Sequence, residues 1–234
     1  MTEKLPGWAQ QFAVFDTETT GTNVFADRIV TASIAVINSH EQVTERSDWI
    51  INPGVPIPPA ASAVHKITDE IAQRDGADPA QAVAVIVAKL GELASRGIPV
   101  CAFNATFDLS LLREEAARHG IAWPTSELLV LDPLVIDRAQ DRFRKGKRTL
   151  GMLASHYGVS LDNAHTAGDD AIAAGAVLLR LVAKFYDQLN VDIFELQRLQ
   201  KQWHTSWATN FEEWLNRQGK NEVINKDWPL RQRS

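Results

Sequence analysis

The sequence predicts an α/β fold. It is a mixed sheet of three antiparallel strands followed by parallel ones, flanked by helices and continued by a helical extension at the carboxyl end. Three observations predict it. Three apolar, β-branched runs lie close together before residue 52, with links too short for a crossover helix. After them, short apolar runs alternate with amphipathic stretches, the pattern of strands joined by helices. Beyond residue 190 the apolar side chains recur at steps of three or four.

Taken in order, residues 11–17 form a short apolar run ending in polar residues, a buried strand that delivers its last side chains to a sheet edge. Residues 28–37, with Ile29, Val30, Ile34, Val36 and Ile37, give the second strand, and 43–51 the third. Residues 52–59 hold four prolines and read as an extended surface loop. Asp78-Pro79 opens a helix, with Asp78 as cap and Pro79 at the first helical position, and Gly97 closes it. A strand over 98–103 and a helix over 106–119 follow, the helix stopped by Gly120. A short strand over 128–131 leads through Asp132-Pro133 into helical segments on either side of the basic run 142–148. An Ala- and Leu-rich helix spans 165–185. The last helix, 190–219, carries Leu196, Leu199, Trp203, Trp207, Phe211 and Trp214 on one stripe, which either packs on the body or docks a partner.

The 234 residues are enough for one sizeable core, and 45% hydrophobic with 23% charged residues is a globular composition. The single cysteine, Cys101, excludes a disulfide framework and a cysteine-based zinc site. The first residues lack the apolar run of a signal peptide. The best apolar stretch, 80–90, carries Gln81 and Lys89 and is too short for a bilayer. The expected address is therefore the cytoplasm, with no membrane partner. A net charge of −5 argues against a protein that coats nucleic acid by electrostatics alone.

Three short segments carry candidate chemistry. In Asp16-Thr17-Glu18, followed by Thr19-Thr20-Gly21, residues two apart on a strand share a face, so two carboxylates stand together at its end. Such a pair is costly without compensating cations. In Asn104-Ala105-Thr106-Phe107-Asp108 a strand gives way to a helix, with Asp108 in the first turn, where it suits the helix dipole, and Thr106 a possible cap. In His165-Thr166-Ala167-Gly168-Asp169-Asp170, His165 and Asp169 share a face if the helix already includes His165. Each segment alone fits an ordinary structural part.

Their order and context are more specific. Residues 15–21 resemble the D-x-E-T-T-G motif of the DEDDh 3′→5′ exonucleases, the DnaQ-like group with a ribonuclease H-like fold. Asn104 to Asp108 resemble the second motif of that family, and His165 to Asp170 the third. The likeness covers roughly residues 11–185, and the domain reading places an exonuclease domain at 1–187 and a Trp-rich helical extension, packed on it, at 188–234. The resemblance implies that Asp16, Glu18, Asp108 and Asp170 hold two divalent cations, Mg²⁺ or Mn²⁺, and that His165 is the general base. It implies substrate contacts from Thr19, Thr20, His65 and Asn104. Phe103 stands where the family often has histidine. Phe107 and Ile67 are candidates to wedge the terminal base, and the basic run 142–148 to touch phosphates.

The implied reaction is stepwise release of nucleoside 5′-monophosphates from the 3′ end of a single strand. The Thr19-Thr20-Gly21 ending is similar to the proofreading branch, which includes the epsilon subunits of DNA polymerase III. That favours DNA as substrate and raises association with a polymerase. The alternatives are an RNA-directed exoribonuclease of the same family, or a non-catalytic scaffold that binds a partner through the Trp-rich tail.

Overall fold

The run Phe12-Ala13-Val14-Phe15 is apolar on both sides of the pleat, and such a strand is stable only with both faces covered. It lies at the centre of the sheet in a computed structural model that describes residues 4–124, 127–161 and 166–233. Strands β1 (Gln11–Thr19), β2 (Ile29–Asn38), β3 (Val43–Ile50), β4 (Val100–Cys101) and β5 (Val130–Leu131) form one sheet in the order β3-β2-β1-β4-β5. The β1–β2 and β2–β3 pairs are antiparallel, and β1–β4 and β4–β5 parallel.

Alternation along β1 sorts its side chains between two cores. Ala13 and Phe15 pack with Ile86, Leu90, Leu109 and Leu112 from α3 (Pro79–Ser95) and α4 (Ala105–Arg118). Phe12 and Val14 pack with Val177, Leu178 and Leu181 from α7 (Ala167–Lys184). Asp78 caps α3 by accepting the Gln81 N–H, with Pro79 at its start. Helices α5 (Pro133–Gln140) and α6 (Leu150–Tyr157) flank the basic run.

Several elements differ from the sequence expectation. The Pro-rich stretch is followed by two short helices, α1 (Pro59–His65) and α2 (Asp69–Asp75), where none was expected. Pro59 begins a helix because its fixed φ suits the first turn. The strands expected over 98–103 and 128–131 shrink to two ladder residues each. The cap of α4 is Asn104, held at φ 63°, rather than Thr106, which is buried inside the helix. Helix α7 begins at Ala167 with Thr166 as cap, later than the expected 165; the expectation for His165 and Asp169 falls partly outside the described residues.

The carboxyl end consists of α8 (Tyr186–Leu189), α9 (Ile193–Arg217) and an irregular tail. β5 is an edge strand, and α9 covers it with glutamines. Gln197 accepts the Val130 N–H at 2.8 Å and donates to the Val130 carbonyl at 2.7 Å. Gln200 accepts the Asp132 N–H at 2.7 Å and donates to the same Val130 carbonyl at 2.9 Å. Two side chains thus take the place of a sixth strand. Leu196, Gln200, His204, Ala208 and Leu215 are the buried residues of α9, whereas Trp207 and Phe211 are half-buried and Trp214 exposed. The tail then crosses α4, where Arg231 N–H donates to Ser110 Oγ at 2.8 Å and Trp228 is buried. Among the described residues no helix is long and apolar enough to cross a membrane.

Candidate metal centre

The pleat that sorts the two cores also sorts the polar end of β1. Asp16 and Glu18 continue the Phe12–Val14 row and face α7. There they meet Asp170 in the first turn of α7, whose start is fixed by Thr166 Oγ1 accepting the Asp169 N–H. One carboxylate oxygen from each of Asp16, Glu18 and Asp170 falls within 4.8 Å of the others. Helix α7 can lie this close because residue 175 is glycine. A Cβ there would stand 2.6 Å from Ile37 Cδ1 and 2.7 Å from Val14 Cγ1.

Thr17, on the opposite face of β1, reaches the fourth acid. Its hydroxyl and its backbone N–H donate to Asp108 Oδ1 at 2.6 and 3.1 Å. Asp108 is 3% exposed. The turn that delivers it is held by buried Asp132, whose carboxylate accepts the N–H groups of Asn104 at 3.1 Å and Ala105 at 3.0 Å. Burial pushes the Asp132 carboxyl up, against those hydrogen bonds. The sequence reading saw Asp132 only as a turn residue, since its second partner segment lies 27–28 positions away.

The acids destabilise one another's ionised forms. Burial, then the charges of Asp108, Glu18 and Asp170, raise Asp16 well above the usual carboxylate range. Burial, then Asp170 and Asp108, push Glu18 up to about 7. Burial pushes Asp108 up to about 7 against the hydrogen bonds from Thr17. Clustered carboxylates with raised affinity for protons are a site short of positive charge, and a cation reverses that deficit. An all-oxygen donor set fits a hard divalent ion such as Mg²⁺, Mn²⁺ or Ca²⁺.

The other expected site residues are placed as follows. Thr19 Oγ1 donates to the Gly21 carbonyl at 2.7 Å, and Thr20 Oγ1 donates to Asp27 Oδ1 at 3.2 Å, so both hydroxyls shape the turn after β1. His65 is buried, its Nδ1 accepting the Ile67 N–H at 3.2 Å, and burial holds it below the ordinary imidazole range. Phe107 is half-buried against the core on the α3–α4 side. His165 lies outside the described residues. Asp169 lines a separate groove with Gly158, Ser160 and Arg180.

A cleft of about 510 Å³ opens beside the acids, lined by Glu18, Arg46, Trp49, His65, Ile67 and Gly168 among others. The sequence reading missed Arg46 and Trp49. No local signal marks them, because they reach the site only through the registers that set β3 beside β2 and β2 beside β1. Two of the five basic residues of the expected phosphate-contacting run are committed elsewhere. Arg144 and Arg148 both pair with the fully buried carboxylate of Asp137, which also accepts the Tyr157 hydroxyl at 2.6 Å.

The RNase_T exonuclease family model matches residues 13–178. A DNA polymerase III subunit epsilon-like protein of Rhodobacter capsulatus is 32% identical over 177 residues, covering 73% of this chain and 23% of the relative. A PolC-type DNA polymerase III of Lacticaseibacillus paracasei is 31% identical over 179 residues, covering 75% of this chain and 12% of the relative. The chain therefore spans less than a quarter of the length of these relatives. Among solved structures, E. coli exonuclease I in complex with a dT13 oligonucleotide shares the fold with a TM-score of 0.61 and 21% identity, over 77% of this chain and 42% of that one. The nuclease domain of 3′hExo bound to rAMP, a DEDDh family member, gives a TM-score of 0.65 and 14% identity, over 80% and 97%.

Proposed function

The chain belongs to the DnaQ-like, DEDDh exonuclease family, and from that premise we propose that it hydrolyses phosphodiester bonds at the 3′ end of single-stranded nucleic acid, releasing nucleoside 5′-monophosphates. The observation that carries this reading is the convergence of Asp16, Glu18 and Asp170 within 4.8 Å, with Asp108 tied to the same strand end through Thr17.

In this reading the four acids hold two divalent cations, Mg²⁺ or Mn²⁺. Such ions, when bound, neutralise phosphate charge and make water a stronger nucleophile near neutral pH. The chain's own residues do the rest. Thr17 directs two donors at Asp108 and so favours its ionised form. His165, five positions before Asp170, takes the proton of the attacking water on an imidazole nitrogen, a role suited to a group with an ordinary pKa of about 6.5. The water oxygen bonds to phosphorus, the bond to the 3′ oxygen of the preceding nucleotide breaks, and the terminal 5′-monophosphate leaves. The turn of Thr19 and Thr20, together with His65, Asn104 and Phe107, seats that terminal nucleotide. Residues 1–187 form the catalytic unit, and 188–234 an extension packed on it.

DNA is the substrate we favour. The similar relatives are named as DNA polymerase III components, and one solved neighbour holds dT13. The rAMP in the other solved neighbour supports the RNA alternative. Association with a DNA polymerase is proposed on the relatives' names. The test is degradation of a 3′-labelled single-stranded DNA and of the matching RNA, with Mg²⁺, Mn²⁺ or EDTA, by wild type and Asp16→Ala. The reading expects metal-dependent release of 3′ mononucleotides, faster from DNA and abolished in the variant. Absence of metal-dependent degradation of both substrates overturns it.

A further inference from the structure

The aromatic stripe of α9 is only partly used in packing, and its position is informative. Gln197 bonds to Val130 and Gln200 to Asp132, so α9 runs alongside β5 in the same direction. From Gln200 to Trp214 it continues about 21 Å further at 1.5 Å per residue. It therefore overhangs the carboxyl end of β5, the edge strand two places from β1, whose own carboxyl end carries Asp16 and Glu18. In open α/β sheets, ligands bind outside the carboxyl ends of the strands.

A groove of about 640 Å³ lies between this overhang and α5, lined by Arg138, Arg142, Trp203, Trp207, Phe211 and Trp214 among others. Trp207, Phe211 and Trp214 stack in succession, with interplanar angles of 15° and 11°. The Arg138 guanidinium lies 3.4 Å over the Trp207 ring. No carboxylate is found among the described residues that line the groove. In the chain after Arg142, Lys145 and Lys147 are exposed and, like Arg142, make no ion pair among the described residues, and Phe143 is 93% exposed. Positive charge gathered here on a chain of net charge −5 is a local departure. Interleaved cations and aromatic rings are the recognition chemistry of a single strand, in which phosphates meet Arg or Lys and bases stack on rings.

We propose that this groove binds the single-stranded nucleic acid 5′ to the reacting nucleotide, with phosphates at Arg138 and Arg142 and bases against Trp214 and Phe143. The assignment rests on the exonuclease reading above and names a strand-holding surface separate from the acid cluster.

The test measures binding of the whole chain to a 5′-labelled oligothymidylate of about twelve nucleotides in EDTA, across a salt series, for wild type, Trp214→Ala and Arg142→Ala. Trp214→Ala is expected to weaken binding about tenfold, the loss of one base stack. Arg142→Ala is expected to lower the salt slope by about one phosphate contact. With Mg²⁺, both should lower the ratio of kcat/KM for that oligomer to kcat/KM for a dinucleotide by a similar factor. Unchanged affinity, slope and ratio overturn the proposal, as does an equal loss on both substrates. A wild-type dimer that Trp214→Ala dissociates without loss of oligonucleotide affinity also overturns it, since the groove then seats a second copy. A wild type that binds through these residues yet releases no nucleotide refutes the exonuclease reading and leaves the groove assignment standing.

Discussion

Thr17 directs both its hydroxyl and its backbone N–H at one oxygen of Asp108, at 2.6 and 3.1 Å. The residue between the two strand acids is thus the hydrogen-bond anchor of a third acid, delivered from a helix 91 positions away. Neighbours on a strand face opposite ways, so one D-x-E segment serves both sides of the sheet end: Asp16 and Glu18 towards α7, Thr17 towards α4.

The first prediction follows from that bond. Thr17→Val removes the hydroxyl donor with little change in shape, and a lost donor to a carboxylate raises its pKa. The acid limb of the pH–rate profile should move to higher pH, with activity at pH 7 reduced by about tenfold and recovered in more alkaline buffer. Thr17→Ser should follow wild type. A Thr17→Val profile superimposed on wild type would show that the bond is idle.

The second concerns stability. Glu18 moves from its ordinary 4.5 to about 7 in the folded chain. The folded state therefore holds this proton more tightly than the unfolded state, and ionising it destabilises the fold. By linkage the penalty is absent below about pH 4.5, grows as pH rises towards 7, and is fully present above it. In EDTA, Glu18→Gln should stabilise the chain at pH 8 by on the order of 2 kcal/mol and change little at pH 4. A saturating divalent ion should stabilise wild type, by about 2.7 kcal/mol at a hundredfold excess over Kd, and the variant less. Thermal melts at both pH values decide it, and a variant less stable than wild type at pH 8 in EDTA contradicts the account.

The third concerns the extension. Gln200 is fully buried and satisfies Asp132 N–H and the Val130 carbonyl. Gln200→Leu keeps the bulk but strands the buried Asp132 N–H, while Gln197 still serves the Val130 carbonyl, which should cost about 1–3 kcal/mol. Urea unfolding reads this directly. An unchanged midpoint would mean that β5 does not depend on α9 for its edge.

Much of the site was legible in the sequence because its chemistry is local. Asp16 and Glu18 are two apart on one strand, and Asp170 sits near the start of a helix whose Ala-rich face is plain. The sheet was legible for the same reason, since the continuous apolar, β-branched runs in residues 11–37 are local patterns. What escaped depends on distant partners. Asp132 pins the start of α4 from the end of another strand, and Arg144 and Arg148, read as part of a phosphate-contacting run, neutralise buried Asp137. The short α1 and α2 escaped because proline signals a loop and a helix start with the same fixed φ. β4 and β5 came out shorter than their apolar runs because ladder length depends on the neighbouring strand and, for β5, on glutamines of a distant helix.

The most direct test of the central claim compares two adjacent acids. Asp170 is in the three-acid cluster, and Asp169 faces a different groove. Mg²⁺-dependent release of mononucleotides from 3′-labelled single-stranded DNA should be measured for wild type, Asp170→Asn and Asp169→Asn. The account predicts that Asp170→Asn loses on the order of a thousandfold or more, consistent with loss of a metal-site carboxylate, while Asp169→Asn stays within a few-fold of wild type. An active Asp170→Asn enzyme, or a wild type that releases no mononucleotide, would contradict it.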